Sequence, residues 1–320
     1  MRESQAIQRL RRIATSPAAL GLTDDTALFD GLVLTHDSIA EGIHFLPTDP
    51  AASVGWKLVA VNLSDLAAKG AEPAAALLSL ALSDDDAWDL GFLDGVEAAC
   101  ESYGLPLLGG DTIALPPGAP RIFGLTAIGR AGENVPLRSG ARAGDVLWVV
   151  GTLGDSAVGL ELLRDDSEAT GALVDVYRRP VPLLAAGQAL ASRAHAMMDV
   201  SDGLLIDAMR MAEASALNAE IDLDALPLSR AFVAERGGSL DSRLFAATGG
   251  DDYALLVAMA PDADPLSLSL PPGTTITRVG TLAAEGSLLA LSSGGSPVPL
   301  PENLGHEHRS NSPAPMADRS

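Results

Sequence analysis

The chain has 320 residues, 47% of them hydrophobic and 20% charged, with 42 acidic against 21 basic side chains and a net charge of −21. Such a length accommodates two domains, each able to bury its own core. The charge opposes binding to nucleic acid or an anionic membrane, and no apolar run approaches the ~18 residues that a membrane helix requires.

The N-terminus, M-R-E-S-Q-A-I-Q-R-L-R-R, is basic but leads into neither an apolar core nor a small-residue cleavage site, so a cytoplasmic protein is expected. Residues 2–14 read as a short helix with Ile7, Leu10 and Ile13 at three-residue spacing. G-L-T-D-D-T-A-L-F then reads as a turn entering an extended segment, followed by the β-branched strand L-V-L-T-H-D; both end in carboxylates. Gly55 to Ala68 carries Trp56, Val59, Leu63 and Leu66 at helical spacing, with Gly70 and Pro73 as a stop signal. On that helix Asn62, Asp65 and Lys69 share the other face, and Asp65 with Lys69 forms an i,i+4 pair in the favourable order. Strands are expected at 74–82, 105–109 and 121–130, with a helix at about 86–102 starting at the solvated run Asp84, Asp85 and Asp86.

The Gly-rich, charged run G-E-N-V-P-L-R-S-G-A-R-A-G-D places a domain boundary within 132–144, dividing the chain into 1–135 and 136–308. D-V-L-W-V-V-G opens a second series of strands and helices, in which T-L-G-D-S-A-V-G-L-E-L-L is a glycine turn leading into a helix. Residues 309–320, rich in Ser, Pro and Asn, read as a disordered tail. The single cysteine, Cys100, excludes an internal disulfide framework and a cysteine-based zinc site, and falls inside a predicted helix as a quiet core residue.

Asp24, Asp25, Asp37, Asp65, Asp111, Asp199, Asp202 and Asp251 all fall at predicted strand ends or helix starts, where loops gather sites. The stretch D-V-S-D-G-L-L-I-D sets three carboxylates among apolar residues, and an unpaired buried carboxylate costs several kcal/mol or more. Hard divalent cations prefer oxygen ligands, and magnesium is typically held by one or two carboxylates plus substrate phosphates and water. Because the chain has only two lysines, Lys57 and Lys69, and neither a G-x-x-x-x-G-K-[ST] nor a G-x-G-x-x-G loop, an acidic cluster can bind a nucleotide only through metal ions. G-G-D recurs at Asp111 and Asp251, where the glycines permit close backbone approach and positive φ. L-S-D with G-G-D-T in the first half, and V-S-D with G-G-D-D in the second, also fit a related pair of half-sites. Taken alone, Ser201 and Asp202 fit the N-cap of a helix equally well, and His44 fits a surface or satisfied core residue.

Together the words T-D-D-T-A-L, T-H-D-S-I-A-E-G-I-H-F, V-N-L-S-D-L-A-A-K-G-A-E-P, L-L-G-G-D-T, R-S-G-A-R-A-G-D, G-T-L-G-D-S-A-V-G-L, D-V-S-D-G-L and G-G-D-D-Y resemble the thiamine-monophosphate kinase family of the aminoimidazole ribonucleotide synthetase-like superfamily. They run in family order from about residue 22 to 255. The resemblance implies an α+β fold in two domains, with N-terminal strands pairing across a homodimer and nucleotide in the cleft between domains. It implies direct transfer of the γ-phosphoryl of ATP to thiamine monophosphate with magnesium. By resemblance Asp25, Thr35, His36, Asp37, Asp65, Asp111, Asp199 and Asp202 hold the metal, with Asp111 and Asp202 catalytic. Tyr103, Gly110, Asp111, Arg138 and Ser201 contact ATP; His44, Asp251 and His306 face the acceptor.

The chain departs from the family pattern at Thr23, His36, Asp251 and Ala254, and His306 stands where an aromatic is usual. Relatives that use a reactive cysteine near one terminus are disfavoured by the place of Cys100. A non-catalytic acidic metal-binding protein is the alternative from another class.

Overall fold

The computed structural model describes residues 3–306, so the expected tail at 309–320 and the first residue of the expected N-terminal helix lie outside the described residues. The helix that is described, α1 (Glu3–Leu10), ends before Ile13. The first sheet follows: β1 (Ala27–Phe29), β2 (Leu32–Ala40), then helix α2 (Ala51–Ala68), β3 (Glu72–Leu82), helix α3 (Asp86–Tyr103), β4 (Leu107–Ala114) and β5 (Ile122–Arg130), with strand order β1-β2-β5-β3-β4. Residues 131–145 lead to the second sheet.

Its elements are β6 (Val146–Val150), α4 (Asp155–Asp165), α5 (Ala172–Arg178), α6 (Leu184–Ala191), β7 (Ala196–Val200), α7 (Leu204–Ala214) and β8 (Asn218–Asp222). The chain continues through α8 (Arg230–Arg236), α9 (Leu240–Thr248), β9 (Ala254–Met259), β10 (Ile276–Ala283), β11 (Leu289–Ser293) and β12 (Ser296–Val298), giving a seven-stranded order β12-β11-β8-β10-β6-β9-β7. This is a two-domain α+β architecture. Among the described residues no helix is long and apolar enough to cross a membrane.

Helix α2 organises the molecule. Fourteen of its 18 residues are buried, and a helix buried on nearly every side must lie between layers rather than on a surface. Its middle packs with β2, β5 and α3 in the first core through Val54, Leu58, Val61 and Phe92. Its last turn enters a second core instead, where Ala67 and Ala68 meet Leu190, Met197 and Leu255 beneath the seven-stranded sheet. That crossing is close enough that a Cβ on Gly187 of α6 would sit 1.9 Å from the Ala67 carbonyl oxygen. The stop signal acts as expected: Gly70 turns at φ 60° and the Ala71 N–H donates to the Leu66 carbonyl at 2.9 Å.

Several local expectations are corrected. Asp37 and Asp111 lie inside β2 and β4 rather than at strand ends. Gly203, not Ser201 or Asp202, is the N-cap of α7. The two halves of the apparent repeat fall on unlike elements, Asp65 on a helix and Asp202 in the loop after β7, so they are not equivalent half-sites. Lys69 does not pair with Asp65: at the C-cap of α2 it forms an ion pair with Asp24 at 2.6 Å.

Candidate functional site: an acidic cluster between the two sheets

Three segments distant in sequence bring their carboxylates together. Asp25 precedes β1, Asp65 comes from α2 and Asp199 from β7; one oxygen of each lies within 4.8 Å of the others. Asp65 and Asp199 are 6% and 3% exposed. Alternation along β2 turns Thr35 and Asp37 toward α2, where the Thr35 hydroxyl donates to Asp65. The neighbouring helix residues hold the remaining geometry: Ser64 Oγ donates to Asp199 Oδ2 at 2.7 Å, and the Asn62 side-chain oxygen accepts the Asp37 N–H at 2.9 Å.

Burial pushes the Asp65 carboxyl well above the usual carboxylate range, and the negative charges of Asp37, Asp199 and Asp25 push the same way. Asp199 is raised likewise, by burial first and then by Asp25. Arg138 donates to Asp25 Oδ1, yet Asp25 Oδ2 is buried with no hydrogen-bond partner. Crowded, desolvated oxygens of which one is orphaned are the donor set that a hard divalent cation satisfies. The residues therefore fit magnesium.

The other two carboxylates of D-V-S-D-G-L-L-I-D share one arginine. Arg210 of α7 bonds both Asp202 and, at 3.0 Å, Asp207, whose Oδ2 also accepts the Asp202 N–H at 3.2 Å. Asp207 is fully buried, and burial with the adjacent Asp202 pushes its pKa up to about 7 despite Arg210.

Both lysines of the chain are buried, at opposite ends of the site, and the partner of each comes from a segment distant in sequence. Lys69 holds Asp24 and donates to the Met197 carbonyl at 2.9 Å. Burial alone would raise Asp24, but Lys69 and Arg138 outweigh it and bring its pKa below the ordinary value. Lys57 donates to Asp251 Oδ2 at 2.7 Å and to the His44 carbonyl at 2.9 Å. Lys57 thus links Asp251 to the segment that carries His44. One signal was available: two lysines in a strongly acidic chain, one inside an apolar helix and one at its C-cap.

Other expected residues lie apart from the trio. His36 is exposed on the opposite face of β2, its Nδ1 2.9 Å from Thr126 Oγ1. Asp111 is exposed on β4, an edge strand. The G-G-D glycines behave differently at their two sites. Gly109 and Gly110 have φ 151° and 156°, and a Cβ on Gly110 would meet the Leu78 carbonyl at 1.8 Å, so the close approach there is to β3. At the second site positive φ falls on Asp251 (66°) and Tyr253 (50°), not on the glycines. Tyr103 packs against Trp56, with ring centroids 5.5 Å apart and the Arg179 guanidinium over Trp56. Ser201 accepts the Asp251 N–H at 2.7 Å through its carbonyl, and the His306 N–H donates to the Asp202 carbonyl at 2.9 Å.

The AIR synthase related protein N-terminal domain matches residues 23–131 and the corresponding C-terminal domain matches residues 142–288. The thiamine-monophosphate kinase of Escherichia coli is 37% identical over 305 residues, covering 90% of this chain and 91% of the relative. Among solved structures, "AaThiL complexed with AMPPCP and TMP" superposes with a TM-score of 0.82 at 31% identity, covering 96% of this chain and 97% of that one. The thiamine-monophosphate kinase of Stenotrophomonas maltophilia superposes at 0.71 with 36% identity, covering 92% and 96%. With both domains matched in order and relatives aligned along nearly their full length, the chain belongs to the AIR synthase related family and, within it, to the thiamine-monophosphate kinases.

Proposed function

We propose that the protein phosphorylates thiamine monophosphate with ATP, giving thiamine diphosphate and ADP by direct in-line transfer, in thiamine diphosphate biosynthesis. The observation that carries this reading is the Asp25, Asp65 and Asp199 trio, three converging carboxylates with an orphaned buried oxygen and no lysine among them. Relatives bearing this activity in their names align over 90% of the chain.

Asp25, Asp65 and Asp199 would hold magnesium, with Thr35 and Asp37 beside them and Asp111 and Asp202 completing the set around bound phosphates. His36 lies on the far face of β2, where its ring meets Thr126 rather than the trio. Bound magnesium would neutralise the donor and acceptor phosphates, which otherwise repel each other and the carboxylates. The chain's own part is positional: Thr35 and Ser64 orient the carboxylates, Asn62 pins β2, and Arg138 fixes Asp25. Tyr103, Gly110, Ser201 and Arg138 are assigned to ATP, and His44, Asp251 and His306 to the acceptor. Phosphate oxygen is already ionised at neutral pH, so no strong base is required and no phosphoenzyme is expected.

A homodimer joined through the N-terminal sheet belongs to the same proposal. β4 is exposed along its whole length, with Leu107, Leu108 and Ile113 between 47% and 68% exposed, and an unpaired apolar edge invites strand pairing. We place the domain division at 135/136 and the protein in the cytoplasm.

The test is one assay with purified protein, ATP and magnesium, measuring ADP and product separately for thiamine and thiamine monophosphate. Thiamine monophosphate should be turned over and free thiamine should not, because an alcohol needs a general base and lacks the acceptor phosphate. Comparable turnover of both would overturn the in-line model.

A further inference from the structure

Resting on the kinase reading above, we infer that Lys57 is a positioning residue for the acceptor end of the site, its buried ammonium tying Asp251 and the His44 segment into one fixed rim. Lys57 is 2% exposed, and its Nζ lies 2.7 Å from Asp251 Oδ2, 2.9 Å from the His44 carbonyl oxygen and 4.2 Å from the centroid of the Tyr177 ring. These partners come from three places, the loop after β2, the loop before β9 and helix α5. One point charge therefore sets where all three stand.

The rim is fixed further from each side. Tyr253 donates its hydroxyl to Asp251 Oδ1 at 3.0 Å. The Ala40 N–H donates to His44 Nδ1 at 3.0 Å, so the neutral ring carries its proton on Nε2. Asp251 and Tyr253 both hold positive φ, which non-glycine residues keep only where their surroundings over-determine it. Their backbone N–H groups bond the Ser201 and Val200 carbonyls at 2.7 and 2.9 Å, and the intervening Asp252 accepts the Gly154 N–H at 2.7 Å. Asp251 keeps 27% of its side chain open. It is thus a held carboxylate with one accessible side.

Charge explains why a lysine is needed. An acceptor phosphate approaching a bare Asp251 would meet a like charge in a low-dielectric site, whereas the ion pair presents a neutralised dipole in a set direction. Geometry adds a second reason. Asp65 follows Lys57 on the same helix by eight residues, roughly 12 Å along the axis at ~1.5 Å per residue. α2 then holds the acceptor rim and the acidic trio at a constant separation.

The experiment compares wild type, Lys57→Met and the neutral pair Lys57→Met with Asp251→Asn, measuring KM for each substrate, kcat and melting temperature. For Lys57→Met the thiamine monophosphate KM should rise at least tenfold with the ATP KM within twofold, and melting temperature should fall. Because that variant leaves a buried charge unpaired, the double variant carries the test if it folds poorly. In the double variant melting temperature should recover while the acceptor KM stays high. A double variant with wild-type acceptor KM, or equal rises in both KM values, would reduce Lys57 to a structural ion pair and overturn the inference alone. Wild-type protein that makes no ADP in response to thiamine monophosphate would overturn the kinase reading and this inference with it.

Discussion

Along helix α2, buried aspartates meet two different fates. Asp251 and Asp24 each face a buried lysine, Lys57 within the helix and Lys69 at its C-cap, and both carboxyls sit below the ordinary range even though burial pushes them up. Between those two lysines Asp65 faces Asp25, Asp37 and Asp199, and its carboxyl is driven well above that range. Residue type is the same and burial raises each of them; the difference is the source of the countercharge. At Asp24 and Asp251 a lysine holds the carboxylate in place, whereas Asp65 and Asp199 are bonded, among the described residues, only by the hydroxyls of Thr35 and Ser64 and are available to a cation from solution.

The largest expected effect comes from breaking the withheld side. Asp65→Asn should lower kcat by about a thousandfold or more, equivalent to ~4 kcal/mol of transition-state stabilisation. The metal-free protein should nevertheless melt no lower than wild type, because the substitution replaces a carboxyl that burial and its acidic neighbours disfavour in the charged form. Kinetics beside calorimetry in EDTA decides it. Loss of stability in step with activity would make Asp65 a fixture like Asp24.

Breaking the supplied side should do the reverse. Lys69→Met leaves Asp24, 3% exposed, without its cation, and removing one partner of a buried pair costs about 3–5 kcal/mol. Urea unfolding should register that loss, and adding Asp24→Asn should restore most of it. No restoration would mean that the Lys69 bond to the Met197 carbonyl, rather than the ion pair, ties the two sheets together.

A pH series sharpens the same contrast. Asp65 and Asp199 are raised and Asp207 reaches about 7 against an ordinary 3.8. The folded protein therefore retains protons that the unfolded chain releases, and metal-free stability should decline as pH rises from about 4 through 7. Asp24 and Asp251, being lowered, contribute fully above 3.8 and lose their contribution only below it, outside that window. Magnesium, by favouring the ionised trio, should raise the melting temperature by an amount that grows with pH. A magnesium shift constant across the window would remove the trio from the metal site.

How much of this was legible depended on whether partners were local. Trp56, Val59, Leu63 and Leu66 at helical spacing marked α2, and the acidic words marked Asp25, Asp65 and Asp199, because periodicity and short motifs are written in neighbouring residues. The lysine partners were not legible. An i,i+4 rule assigned Lys69 to Asp65, but at the C-cap its backbone (φ −107°, ψ 4°) has left the helix and its ammonium is buried against Asp24 and the Met197 carbonyl. Lys57 and Asp251 meet only after the second domain folds onto α2. Asp37 and Asp111 were misplaced at strand ends because β2 and β4 run on past their polar residues, a boundary that alternation alone does not mark.

The smallest effect lies at the far rim of the site. Gly305 packs so closely that a Cβ there would stand 2.4 Å from Ile206 Cγ2 and 2.5 Å from the Asp202 carbonyl, and the next residue, His306, bonds that carbonyl through its N–H. Position 306 is thereby anchored to the segment that carries Asp199, with its side chain exposed. A phenyl ring offers more area than imidazole for stacking on a flat acceptor ring and holds no positive charge against a cationic thiazolium at any pH. His306→Phe should therefore lower the thiamine monophosphate KM by about threefold, a gain of ~0.6 kcal/mol of the size expected for an exposed ring contact. The ATP KM should be unchanged. Superimposable acceptor profiles would show that the Gly305 anchor serves to cover α7 and that the acceptor ring is met elsewhere.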